Sequence, residues 1–106
     1  MTDDAYADLA DDVAAATLRV SGVAALHGGE FGEIATYLPG RTVLGVRIDA
    51  ERCDIHISAR YPSDVNGVAR GVHASVRPLV SVPVSVTVED VIAENTVNVG
   101  NTREQS

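Results

Sequence analysis

The chain has no lysine and no tryptophan, a single cysteine, and aromatic side chains at only 4% of its 106 residues. Each shortage excludes something. One cysteine, Cys53, cannot close an intramolecular disulfide, so no covalent staple is available to the fold. The large rings are Tyr6, Phe31, Tyr37 and Tyr61, too few for the stacking platforms that hold nucleobases or sugars. Cations are scarce too: eight, all arginine, against fifteen acidic residues, for a net charge of −7. They are scattered between positions 19 and 103, so no basic stripe exists to neutralise phosphates or anionic headgroups, and nucleic-acid binding is not expected. No apolar run approaches the roughly 20 residues that span a bilayer. The acidic start (Asp3, Asp4, Asp8) lacks the basic region and apolar core of a signal peptide. The expected location is the cytoplasm, with no direct membrane insertion and peripheral membrane association only through a partner.

What is present suits one small domain. Hydrophobic residues make up 45% of the chain, enough for a core, and they are chiefly Val, Ala, Ile and Leu. Residues 3 to 20 place Tyr6, Leu9, Ala10, Val13, Thr17 and Val20 at spacings of three and four, which predicts a helix. Its solvent face would hold Asp4, Asp8, Asp11 and Asp12, with Ser21-Gly22 as the stop. This acidic face is expected to be solvated, or else to attract a basic partner. A short strand should follow from Val23, then a glycine-rich loop, then a second short strand over 33 to 38, closed by Pro39-Gly40.

Alternation over 43 to 49 predicts a strand with Leu44, Val46 and Ile48 on one side and Gly45, Arg47 and Asp49 on the other. After a turn at Ala50-Glu51-Arg52, a second alternating run puts Cys53, Ile55, Ile57, Ala59 and Tyr61 on one face. Asp54, His56, Ser58 and Arg60 take the other, and the two runs form an antiparallel hairpin. Ser63 is the expected N-cap of a second helix carrying Val65, Val68, Val72, Val76 and Leu79, which Pro78 should end or kink. Gly67 and Gly71 weaken that helix by roughly 1 kcal/mol each unless they allow close packing against the sheet. Val82, Val84, Val86 and Val88 alternate with Pro83, Ser85, Thr87 and Glu89 in a last strand, expected parallel to the strand of 53 to 61 or a neighbour. The domain should span 1 to 92, with a mobile tail over 93 to 106. The expected fold is α+β: a mixed sheet of three to five strands with two helices on one face. The opposite face, with Arg47, His56, Arg60 and Thr87, should be polar.

Several constellations could carry chemistry. Cys53-Asp-Ile-His56 has a chelating spacing, but residues three apart on a strand face opposite ways, so no metal is expected there. Cys53 with His73 could be a nucleophile and base, though such a coincidence is common. His27-Gly28-Gly29 with Glu30 and Glu33 could form a small-molecule site or an enzyme centre; the plain alternative is that the glycines only make the turn. Gly29-Glu-Phe-Gly32 satisfies the GxxG pattern of KH domains, with a carboxylate where a phosphate would sit. No Walker loop, dinucleotide fingerprint, HExxH or nucleophile elbow is present, so neither a cofactor nor a catalytic residue is assigned.

The stretch Gly22-Val-Ala-Ala-Leu-His-Gly-Gly-Glu-Phe-Gly-Glu-Ile-Ala-Thr-Tyr-Leu-Pro-Gly-Arg-Thr-Val-Leu-Gly-Val-Arg-Ile48 is followed by the hairpin, Tyr61-Pro-Ser-Asp-Val65, a valine-rich helix and Val84-Ser-Val-Thr-Val-Glu-Asp-Val-Ile92. Together these resemble the alkaline-shock-protein family of Gram-positive bacteria, over residues 5 to 92 and most specifically over 28 to 41. The resemblance implies a non-catalytic cytoplasmic α+β protein of envelope homeostasis or stress response. It also implies a small membrane-anchored protein partner and a tendency to form homo-oligomers. The absence of lysine, and Gly67 and Gly71 in the second helix, depart from many members. The candidate partner surface comprises His27, Gly28, Gly29, Phe31, Tyr37, Arg41, Arg47, His56 and Arg60.

Overall fold

The computed structural model describes residues 2 to 93, with side chains from residue 8 onward. The elements in order are α1 (Thr2–Leu18), β1 (Val23–Leu26), β2 (Ala35–Leu38), β3 (Arg41–Leu44), β4 (Val46–Ile48), β5 (Cys53–Arg60), α2 (Val65–Val76) and β6 (Val84–Ile92). The α+β class expected from the sequence is the one observed.

Both edges of β5 are occupied, which makes it the centre of a mixed four-stranded sheet. β6 runs parallel to it along its whole length, from Cys53 beside Val84 to Arg60 beside Ile92. The other edge is shared end to end by two short antiparallel strands: β4 covers Cys53 to Ile55, and β1 covers Ile57 to Ala59. At the junction, the His56 carbonyl accepts from the His27 N–H at 2.8 Å, and the His56 N–H donates to the Gly45 carbonyl at 2.9 Å. β2 and β3 form a separate two-stranded ribbon.

Burial follows from this position. Cys53, Ile55, Ile57 and Ala59 on one face of β5 have no exposed area, and neither do Val46, Ala10, Val13, Val72 and Val76, which cover them from β4 and both helices. Each fully buried Val or Ile contributes roughly 1.5–3 kcal/mol relative to exposure. Small residues such as Ala10 and Ala16 let α1 approach closely. The one polar group in its buried stripe, the Thr17 hydroxyl, is satisfied by donating to the Val13 carbonyl at 2.8 Å.

The structure corrects several expectations. The predicted strand over 43 to 49 is two strands in different sheets, because Gly45 turns the chain at φ +85°. β3 before it pairs with β2 and β4 after it pairs with β5, so Leu44 does not join Val46 and Ile48 in the core and is 51% exposed. The turn at 50 to 52 is present: one Asp49 carboxylate oxygen accepts from the Glu51 and Arg52 N–H groups, a local arrangement suited to Asp. Tyr61 is exposed and does not continue the buried row, because β5 ends at Arg60 before the cis Tyr61–Pro62 bond.

α1 ends at Leu18, ahead of Ser21, with Arg19 and Val20 in tighter turns on Ala16 and Thr17. The N-cap of α2 is Asp64; the Ser63 hydroxyl donates instead to the Arg60 carbonyl. Pro78 ends the α-helix as expected, leaving a 3-10 turn at Arg77–Leu79 with Leu79 exposed. Gly71 does permit close packing, but against α1's end: a Cβ there would lie 3.1 Å from Val20 Cγ1. β6 begins at Val84, after Pro83, and reaches Ile92. The mobile tail expected over 93 to 106 falls, Ala93 apart, outside the described residues, as do the side chains of Asp3, Asp4 and Tyr6.

Candidate functional site

With both helices on the core face, side chains of opposite parity on β4, β5 and β6 line the other face: Arg47, then Asp54, His56, Ser58 and Arg60, then Ser85 and Thr87. An irregularity in β6 adds to this set. Ile57 pairs with Val88 but Ser58 pairs with Asp90, so Glu89 is an extra residue. The bulge places two successive carboxylates on this face, and each meets a histidine. Glu89 Oε2 lies 2.5 Å from His56 Nδ1, and Asp90 Oδ2 lies 4.0 Å from His27 Nε2. The first distance is a charge-assisted hydrogen bond; the second is too long for a hydrogen bond. Alternation already set Glu89 beside Ser85 and Thr87; the bulge, which periodicity alone could not reveal, is what adds Asp90 to the same face.

The glycine loop sits beside this face and folds on itself. His27 Nδ1 accepts from the Gly29 N–H at 2.9 Å, and Glu33 Oε1 accepts from the Phe31 N–H at 3.0 Å. The Glu33 carboxylate lies over Gly29, where a Cβ would come within 2.8 Å of it. Its carboxyl is held below the usual value first by its own backbone N–H, then by that of Phe31, with the charges of His56 and Arg47 adding to the effect. The Phe31 amide that a phosphate-binding loop would offer to a ligand is thus already given to the chain's own acid. Glu30 and Glu33 are exposed, and His27 turns toward Asp90.

The remaining candidates separate. Cys53 and His56 face opposite sides of β5, as expected from strand alternation, and burial pushes the Cys53 thiol up to about 11. Among the described residues no group of three or more His, Cys, Asp or Glu is placed to hold a metal ion. No helix of the described residues is long and apolar enough to cross a membrane. Asp11 is not simply solvated: Arg41 grips both its oxygens at 2.8 Å. Arg41 is thereby engaged with α1, on the opposite side of the ribbon from Tyr37, whose pairing partner is Thr42.

Three exposed apolar side chains lie near the loop. Phe31 is 85% exposed, Tyr37 71% and Leu44 51%. Tyr37 and Leu44 share one face of the ribbon, since Ala35 pairs with Leu44 and Tyr37 with Thr42. Leu44 in turn packs on Gly28, at 3.1 Å from where a Cβ would stand. Of the candidate surface, the structure therefore groups His27, Arg47, His56 and Arg60 on the sheet face opposite the helices, where the His56 side chain is only 18% exposed and Ser58 is buried. Gly28, Gly29, Phe31 and Tyr37 form the adjoining loop and ribbon.

No family model, no curated protein and no solved structure matches the chain.

Proposed function

We propose that the protein acts by binding another protein through the loop and ribbon that present Phe31, Tyr37 and Leu44, with Arg47 and His56 at the border. One observation carries this reading. Every described aromatic ring is exposed, Tyr61 included at 63%, while the core is built from Val, Ile, Ala and Cys. Rings that contribute nothing to the core are the side chains that most often anchor protein interfaces. The polar border engages its own groups, Glu89 hydrogen-bonded to His56 and Glu33 near Arg47, which suits the rim of an interface better than an anion site. The proposed role is non-catalytic and cytoplasmic, in envelope homeostasis beside a membrane-anchored partner, as the alkaline-shock resemblance implies.

The test is cross-linking capture from cells with the wild-type chain and with the Phe31→Ala/Tyr37→Ala variant. Both rings are exposed, so the variant should melt with the wild type, within about 0.5 kcal/mol per site. An envelope protein recovered by the wild type and lost in the variant supports the reading. Identical recovery by both would overturn it.

A further inference from the structure

Among the described residues β6 is an edge strand, paired only with β5. The Pro83 carbonyl accepts from the Cys53 N–H, so by the alternation of a strand the N–H and C=O groups of Val84, Val86 and Val88 point away from β5, toward the free edge. Edge strands are normally blunted by charge, proline or a bulge. Here Pro83 stands just before the strand and the bulge follows Val88, but Val-Ser-Val-Thr-Val between them carries no charge. The valines of this window are only half-buried, whereas the core-facing residues of β5 have no exposed area.

We propose that this window pairs with the same window of a second copy, antiparallel about a twofold axis through Val86. The window is complementary to its own reverse. Val84 of one copy falls beside Val88 of the other, Val86 beside Val86, and Ser85 beside Thr87, so half-buried valines meet valines and hydroxyls meet hydroxyls. Charge selects the direction. A parallel pairing would set Glu89 against Glu89 and Asp90 against Asp90. The antiparallel one brings that acidic end toward the start of the other copy's β6, which shares a depression with Arg77 and His73. The bulge re-aims the strand beyond Val88 and closes the window. This surface is distinct from the aromatic loop and ribbon, so the proposal stands whether or not that reading does.

The test is sedimentation equilibrium of the full chain across concentration and salt, with two double variants at exposed positions. The wild type should dimerise, and more tightly as salt rises, because each copy carries a net charge of −7. Ser85→Lys/Thr87→Lys places lysine opposite lysine twice across the axis and should raise the dissociation constant roughly tenfold or more. Ser85→Lys/Thr87→Glu places lysine opposite glutamate and should leave the dimer at least as tight. Amide exchange of Val84, Val86 and Val88 should slow with protein concentration. A wild-type monomer at all concentrations would overturn the proposal, and so would equal weakening by both variants. Protection of those amides that does not depend on concentration would also overturn it, since the chain's own remaining segment would then cover the edge.

Discussion

Arg41 lays Nη1 and Nη2 on Oδ1 and Oδ2 of Asp11, each at 2.8 Å, across 30 positions of sequence. This two-pronged pair fastens the β2–β3 ribbon to α1. Both side chains are about half exposed, so the pair anchors the ribbon locally and adds little to global stability.

Its pH dependence follows from the shifted carboxyl. The hydrogen bond from Arg41 holds Asp11 below its ordinary value of 3.8. A depressed carboxyl contributes above its unfolded pKa and is lost as pH falls through its folded one. The amide shifts of residues 36 to 43 should therefore move with a midpoint below 3.8. In Asp11→Asn that transition should vanish, with the global melting temperature nearly unchanged, as read by NMR titration and thermal melts.

Gly45 and Gly40 separate two costs of a side chain. Both have positive φ, +85° and +78°, which penalises any L residue by roughly 1–2 kcal/mol. A Cβ at Gly40 meets nothing within 4 Å, whereas one at Gly45 meets Leu26 Cβ at 2.8 Å and the backbone of His27 and His56 at 3.0 Å. Gly40→Ala should cost about 1 kcal/mol and Gly45→Ala more than about 2 in urea denaturation. Equal losses would contradict the junction at His56.

Cys53 is sealed in the core with its thiol pushed up to about 11 by burial. In the folded protein it should resist thiol reagents at pH 8, reacting only as fast as the domain opens. Cys53→Ser should cost about 1–3 kcal/mol by burying a hydroxyl without an assigned acceptor. Rapid labelling under native conditions would contradict the packing.

The two glycines of α2 should behave differently. The atoms nearest a Cβ at Gly67 belong to the exposed Asp64 carboxylate, which can move aside. Gly67→Ala should therefore stabilise the helix by about 0.5–1 kcal/mol. At Gly71 a Cβ stands 3.1 Å from Val20 Cγ1, in a contact between α2 and the end of α1. Gly71→Ala should gain nothing in the same assay.

Much of this was legible in order of residues. The spacing of Ala10, Val13 and Thr17, and of Val68, Val72 and Val76, marks the buried stripes of two helices. The alternation of Cys53, Ile55, Ile57 and Ala59 marks the face of β5 that lies beneath them. Strand parity also separates Cys53 from His56 without a structure, because side chains three apart on a strand diverge. The split at Gly45 was less legible, since apolar alternation runs through it unbroken and only the positive φ and the close approach of His27 and His56 reveal the change of sheet.

The sequence by itself determined the helices, the central strand, its buried face and the poverty of aromatics and cations, since these are matters of local periodicity and composition. Only the tertiary structure decided that β1 and β4 share one edge of β5, that Glu89 meets His56 and a bulge brings Asp90 onto the same face near His27, that Arg41 is held by Asp11, and that Phe31, Tyr37 and Tyr61 are left outside. Those facts depend on pairings between distant segments, where register and the competition for one strand's two edges settle the outcome.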